Sequence, residues 1–336
     1  MIKRRNFLAG AAALSAAPGA VHAAVPTDGD WGAWCAAHLQ DSGRVVDGPQ
    51  GHISHSEGQG YGLLLAQAHG DRAAFEAMEA WTRTHLATRQ DALMSWKWAP
   101  GDDPVWVDWH NATDGDLFRA WALLRAERDS GWQGYRQKAI EIARDIAALC
   151  LAADPRAADQ PLILPGAEAA GDPAKVIFNP SYVMSRALRE LGEAAGEPRL
   201  LQAADHGETM LAELAATGLL PNWVDVTPEG YEPPRDHDLK WGYDALRIPL
   251  YLCWSGRAAH PAVAVALRLM GTDPDRVTVE STPDGRVLEA NDGAGFRAIR
   301  SFASCRTVSG AICGDYYADS LLLMAKVAAR EAQCEK

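Results

Sequence analysis

The chain has 336 residues, 48% of them hydrophobic and 23% charged, with a formal net charge of −12. These proportions describe a globular protein and exclude disordered, collagen-like and multi-span membrane chains. The excess of acids also argues against a nucleic-acid partner, because polyanion binding rests on clustered Lys and Arg.

The first element reads as an address. Lys3-Arg4-Arg5 precedes an apolar stretch from Phe7 to Ala17, and small residues lead to Ala23. That is the layout of an export signal, and the apolar stretch is too short to span a bilayer. Arg4-Arg5 ahead of Phe7-Leu8 predicts the twin-arginine type, with an ordinary secretory signal as the alternative. The expected organisation is a signal peptide over 1–23 and a single catalytic domain over 24–336, periplasmic or secreted, with no stable membrane insertion. Removing the leader takes away Lys3, Arg4 and Arg5 and moves the net charge from −12 to about −15.

Helical spacing governs the rest. Stretches near 28–40, 72–88, 132–152, 198–216, 247–255, 260–270 and 316–331 read as helices. Three more follow apolar stripes at i, i+3, i+4 and i+7: Tyr61, Leu64, Leu65, Ala68; Leu117, Ala120, Trp121, Leu124; and Met184, Ala187, Leu188, Leu191. Strand alternation is confined to Arg276–Glu280 and Gly285–Glu289 across a Pro-Asp-Gly turn. About eleven or twelve helices at intervals of about 25 residues predict one all-α domain, its helical hairpins closing into a toroid. Six cysteines (35, 150, 253, 305, 313 and 334) are too thinly spread for a disulfide scaffold and lack zinc-ligand spacing. A Cys305–Cys313 bridge and unpaired thiols are equal alternatives.

Trp96, Trp98, Trp106 and Trp109 crowd one segment that Pro100, Gly101 and Pro104 keep from being helical. Broad aromatic faces beside Asp102, Asp103 and Asp108 suit a sugar ring, which has apolar C–H faces and a polar rim. Anchoring of the loop is the equal alternative. Acidic or polar residues also stand at four helix starts: Ser56-Glu57-Gly58, Asn111-Ala112-Thr113-Asp114-Gly115-Asp116, Asn179-Pro180-Ser181-Tyr182 and Gly242-Tyr243-Asp244. Each alone is explained by capping. Together they predict more. Gly58, Gly60 and Gly62 are poor helix formers that let a backbone or ligand come close. Arg247 is placed to hold Asp244 by a charge-assisted pair. Glycoside hydrolysis needs two such carboxyl groups, one protonated to release the leaving oxygen and one ionised.

The stretches SEGQGYG at 56–62, NATDGD at 111–116, NPSY at 179–182 and GYDALRIP at 242–249 resemble, in order and spacing, the landmarks of glycoside hydrolase family eight. Within it the likeness is to the periplasmic endoglucanases (cellulases) that accompany bacterial cellulose synthase. The resemblance implies an (α/α)6 barrel that hydrolyses β-1,4-glucan with inversion and needs no metal or organic cofactor. It implies Glu57 as general acid, Asp244 as general base and Asp114 as a third active-site carboxylate, with Tyr182 near the reacting sugar. Trp96, Trp106, Trp109 and Arg247 complete the expected substrate contacts. Chitosanase, xylanase and mixed-linkage glucanase are the alternatives within the family; outside it they are a non-catalytic glycan-binding toroid and a helical-barrel polysaccharide lyase, the latter disfavoured because the landmarks lack the basic cluster that a uronate would need. Two departures from the family pattern, Arg119 at a usually apolar position and an aromatic displaced to Trp132, touch helix packing.

Overall fold

The computed structural model describes residues 29–101 and 106–332. The expected leader, with Arg4 and Arg5, lies outside them. The helices are α1 (Gly29–His38), α2 (Ser56–Ala68), α3 (Arg72–His85), α4 (Thr113–Arg128), α5 (Arg136–Leu149) and α6 (Ser185–Ala195). They continue with α7 (Pro198–Ala216), α8 (Ile248–Trp254), α9 (Pro261–Leu269), α10 (Ala294–Ala303) and α11 (Tyr316–Glu331). Their ends follow local chemistry. Asp71 accepts the Ala74 N–H at 3.0 Å to start α3, and Pro198 and Pro261 open α7 and α9 where a missing N–H costs nothing. Gly196 ends α6 in the left-handed region, with φ +68.

Six helices pack in a closed ring: α2 on α4, α4 on α6, α6 on α8, α8 on α10, α10 on α11 and α11 on α2. Helices α2, α4, α8 and α11 are buried around nearly their whole circumference, as ring members must be. Outside the ring, α1 packs on α11, α3 on α2, α5 on α4, α7 on α6 and α9 on α8. Outer and inner helices thus alternate along the chain from α1 to α10, which is the (α/α)6 barrel. Between α10 and α11 the alternation breaks. Residues 304–315 run there without helix or strand, so among the described residues no helix holds the sixth outer place.

The expected all-α reading stands, with additions. Helix α10 was not expected; its apolar spacing of Phe296, Ile299 and Phe302 follows the turn-like Asn291-Asp292-Gly293, which hides its start. Helix α5 begins at Arg136 rather than 132, because Gly134 takes φ +96. The hairpin expected near 276–289 is present, with strands at Val277–Ser281 and Val287–Asn291. Short strands β1 (Ser54–His55), β2 (Lys97–Ala99) and β3 (Trp106–Asp108) form one antiparallel sheet, and β4 (Leu151–Asp154) pairs with β5 (Ala157–Ile163). A second three-stranded sheet joins β6 (Val176–Phe178), β7 (Val224–Thr227) and β8 (Gly230–Glu232), and β9 (Val277–Ser281) pairs with β10 (Val287–Asn291). Strands of two to four residues are too short to show alternation.

Arg119, unusual for its position, is buried on α4 and grips Glu79 of α3 through Nε at 3.1 Å and Nη2 at 2.7 Å. The displaced Trp132 packs edge-on against Phe75, with ring centroids 5.3 Å apart. Cys305 is disulfide-bonded while Cys313 is a free thiol, so these two do not pair with each other. No helix among the described residues is long and apolar enough to cross a membrane.

Candidate active site

The starts of the ring helices meet at one end of the barrel. Glu57 sits in the first turn of α2, whose cap is His55 rather than Ser56. The imidazole Nδ1 accepts the Gly58 N–H at 3.0 Å, so Nδ1 carries no proton and Nε2–H faces Asp47 Oδ2 at 3.3 Å. Burial raises the Asp47 carboxyl, but bonds from His55 and Gln50 outweigh it and hold Asp47 below its usual range. A Cβ at Gly60 would stand 2.7 Å from Phe118 Cβ, and one at Gly115 only 2.4 Å from Ser56 Oγ. The close approach expected at these glycines is therefore between two backbones. It brings the first turns of α2 and α4 together, and with them Glu57 and Asp114. Asp116 turns away. It accepts the Met94 N–H at 2.7 Å and the Asn111 amide at 3.0 Å, and burial pushes its carboxyl up to about 7. The second aspartate of the pair holds the Met94 segment.

Asp244 precedes a single 3-10 turn, Ala245–Arg247, ahead of α8. That turn places Arg247, only 1% exposed, beneath all three acids. Nη1 donates to Glu57 Oε2, to Tyr61 OH at 3.0 Å and to Asp114 Oδ2 at 3.2 Å. Nη2 donates to Asp244 Oδ1 at 2.7 Å and to Ser181 Oγ at 2.9 Å. Arg247 was expected to touch substrate, but these partners enclose its guanidinium, and it positions the acids instead. Three carboxylates around one cation leave an excess of negative charge in a poorly solvated place, which favours a retained proton. Burial pushes the Glu57 carboxyl up to about 7, opposed chiefly by Arg247 and helped by Asp114 and Asp244. Asp244 is also pushed up, by burial and then by Asp114, against Arg247, Asn179 and His237. The Asp244 side chain is 31% exposed and that of Glu57 19%. Water therefore solvates an ionised Asp244 better, and the proton is best held on Glu57.

A cavity of about 390 Å³ opens over Glu57 and Asp244, walled by Asp47, Tyr243, Phe296 and Tyr317. Tyr317 is fixed by its hydroxyl, which donates to the Tyr243 carbonyl at 2.8 Å. A second hollow of about 510 Å³ lies at Asn222, Trp223, His237 and Lys240. Trp223 stacks on His237 at 4.5 Å and meets Tyr182 edge-on at 6.3 Å. Tyr182 ends a 3-10 turn that Asn179 caps through the Ser181 N–H at 3.0 Å, and its ring is buried. Sequence reasoning missed Asp47, His55, Tyr243 and His237. Two of them carried a signal: His55 stands just ahead of Ser56-Glu57, although His is not a favoured cap, and Tyr243 stands just ahead of Asp244.

The tryptophan segment folds into β2 and β3, on the strand that precedes Glu57. The Trp96 carbonyl accepts the Ser56 N–H at 2.8 Å, which ties this sheet to the start of α2. Trp98 packs edge-on against Trp81 at 5.7 Å with Arg44 over its face at 4.3 Å, so it anchors the loop. Trp96 is half-buried. Trp109 is 58% exposed and stacks on His110. Trp106 opens β3, and its side chain lies outside the described part. The walls of the 390 Å³ cavity come from other aromatic residues.

Residues 6–329 match the family described as Glycosyl hydrolases family 8. A probable endoglucanase of Novacetimonas hansenii is 33% identical over 321 residues, covering 90% of each chain. The endo-β-1,4-glucanase CMCax from Acetobacter xylinum superimposes with a TM-score of 0.79 at 31% identity, over 90% of this chain and 97% of that one. A family 8 endo-β-1,4-glucanase from an Achatina fulica gut metagenomic library reaches a TM-score of 0.83 at 27% identity, over 90% and 98%. With a ring of helix starts that gathers Glu57, Asp114 and Asp244 around Arg247, and a family match along nearly its whole length, this chain is a glycoside hydrolase belonging to family 8.

Proposed function

We propose that the chain is an endo-1,4-β-glucanase that cleaves cellulose chains with inversion. The observation that carries this is the single guanidinium of Arg247, which holds Glu57 on Nη1 and Asp244 on Nη2 and leaves both facing one cavity. In this reading Glu57 gives its proton to the glycosidic oxygen as the bond to the anomeric carbon breaks. Asp244 takes a proton from the water that attacks that carbon from the opposite face. A carboxyl group held near 7 is suited to donate a proton near neutrality, and a base with a raised pKa is a stronger one as long as it is ionised. Asp114, held by the same Nη1, stabilises the positive charge that grows on the sugar. Tyr182 and Trp223 flank the chain on one side, and Tyr243 and Tyr317 on the other. The reaction consumes one water, and no step calls for a metal or organic cofactor.

Polymer choice rests on the names of the relatives, two of them endo-β-1,4-glucanases in solved structures. Export by the twin-arginine route, and a place beside a bacterial cellulose synthase, are parts of the same proposal. Lysine at both Arg4 and Arg5 then leaves the precursor in the cytoplasm; normal export would point to the general secretory route. The test of function is proton NMR of the first product from a soluble β-1,4-glucan, with carboxymethylcellulose, xylan and chitosan compared for reducing-sugar release. An α-configured first product supports inversion. A β-configured one sinks it and returns Asp114 to contention as a nucleophile.

A further inference from the structure

Among the described residues no outer helix covers one side of α10. That side carries Arg297, Arg300, Ser301 and Ser304, at i, i+3, i+4 and i+7, opposite the buried Phe296, Ile299 and Phe302. With Gly271 beyond the end of α9 and Arg306 from the 304–315 segment, these side chains line a cavity of about 510 Å³. The chain carries a net charge of −12, and many of its arginines hold acids, among them Arg119 with Glu79, Arg125 with Glu331 and Arg156 with Asp154. In this cavity they do not. Arg297 donates to the backbone carbonyls of Asp275 and Asp292, and Arg300 to those of Gly271, Pro274 and Arg276. Carbonyls orient a guanidinium without neutralising its charge, and each of these two arginines keeps N–H donors to spare. The carboxylate acting on Arg300, that of Asp273, is turned to the N–H groups of Asp275 and Arg276 at 2.9 and 3.2 Å. Arg297 and Arg306 repel Arg300, which places three like charges around one hollow.

We infer that this cavity is a binding site for a multiply charged oxyanion of the phosphate class, seated between Arg297, Arg300 and Arg306 with Ser301 and Ser304 as further donors. Guanidinium forks match the geometry of phosphate oxygens, and hydroxyls add neutral donors where a third charge would not fit. A single phosphate is smaller than the cavity, so a diphosphate or a phosphate carried on a larger group fills it better. The site lies on the outer side of α10, whereas Phe296 on the same helix walls the glucan cavity. Binding and hydrolysis are therefore separable.

The test is calorimetric titration of the full mature chain with inorganic pyrophosphate and with inorganic phosphate, at low and high salt. Arg306→Gln is the principal variant, because this exposed side chain makes no hydrogen bond among the described residues and its loss spares the fold. Arg297→Gln is the second. Expected are pyrophosphate binding that weakens with salt, at least tenfold weaker binding in each variant (about 1.4 kcal/mol), and unchanged hydrolysis of carboxymethylcellulose. Co-sedimentation with phosphatidic-acid vesicles, against phosphatidylcholine vesicles, distinguishes the source. Vesicle binding that pyrophosphate displaces assigns the site to a lipid headgroup, and pyrophosphate binding alone assigns it to a free phosphate compound. No pyrophosphate binding, binding untouched by either variant, or vesicle binding that pyrophosphate does not displace overturns the inference. Failure here leaves the glucanase reading intact, since that is read from the anomer of the product.

Discussion

Replacing Arg247 with Met removes the one cation among Glu57, Asp114 and Asp244 while keeping a long, unbranched side chain. Arg247 lies 2.7 Å from Asp244 and 3.2 Å from Asp114, and it also bonds Glu57. At about 3 Å and an effective dielectric of about 20, each such pair is worth about 5 kcal/mol before desolvation is counted. Measured losses on removing one partner of a buried pair are smaller, about 3–5 kcal/mol, and that is the expected fall in stability. The pH dependence follows with a definite sign. Arg247 lowers the pKa of both Glu57 and Asp244, so its loss raises both. The acidic limb of kcat/KM reports ionisation of the base, and the alkaline limb reports loss of the acid's proton. Both limbs should move to higher pH, by about 1–3 pH units, the usual effect of an opposite charge at this range. The assay is kcat/KM on soluble carboxymethylcellulose from acid to alkaline pH, with thermal unfolding run alongside. Arg247→Lys keeps the charge but not the fork, so its limbs should move less although its kcat falls. A folded Arg247→Met protein whose limbs stay in place, or move to lower pH, would refute the reasoning.

Glu57→Gln should gain stability over the parent as pH rises. The folded protein holds the Glu57 proton up to about 7, whereas the unfolded chain loses it near the ordinary value of 4.5, so the parent loses stability across that window and the variant does not. Urea midpoints whose difference is flat between those pH values contradict this. Arg119→Leu alone should cost about 3–5 kcal/mol by stranding Glu79, and Arg119→Leu with Glu79→Leu should recover most of the loss; equal losses for the single and double variants argue against a buried pair. Trp109→Ala should leave the melting temperature nearly unchanged and weaken retention on cellulose in affinity electrophoresis. Trp98→Ala should do the reverse, at up to about 3 kcal/mol, and matching behaviour of the two removes the distinction between platform and anchor.

The ring was legible because a helix of three or four turns repeats its apolar face often enough to be seen. Tyr61, Leu64 and Leu65, or Leu117, Ala120 and Trp121, announce their helices without help from the rest of the chain. The carboxylates were legible as helix-start residues beside glycines. What those glycines meet was not, because the contact of Gly60 with Phe118 depends on how two helices cross. Arg247 shows the same limit more sharply. Its link to Asp244 spans three residues and was foreseen, but its bonds to Glu57 and Asp114 span 190 and 133. No local pattern encodes such separations. The two three-stranded sheets were missed for the opposite reason, as strands of two to four residues carry too little sequence to have a period.

The Gly60–Gly115 contact has a consequence for how this enzyme can change. Two of its acids ride on helices pressed backbone to backbone, so their spacing has no loop to absorb strain, and even a methyl group at Gly115 would collide with Ser56. Heat should therefore abolish activity and melt the barrel in one event, with no inactive but folded stage between them. New substrate preferences would have to arise elsewhere, as in the segment from Trp223 to His237, whose side chains border the second hollow without setting the distance between the acids. Chemistry is welded into the frame, and choice of polymer is left to the trim.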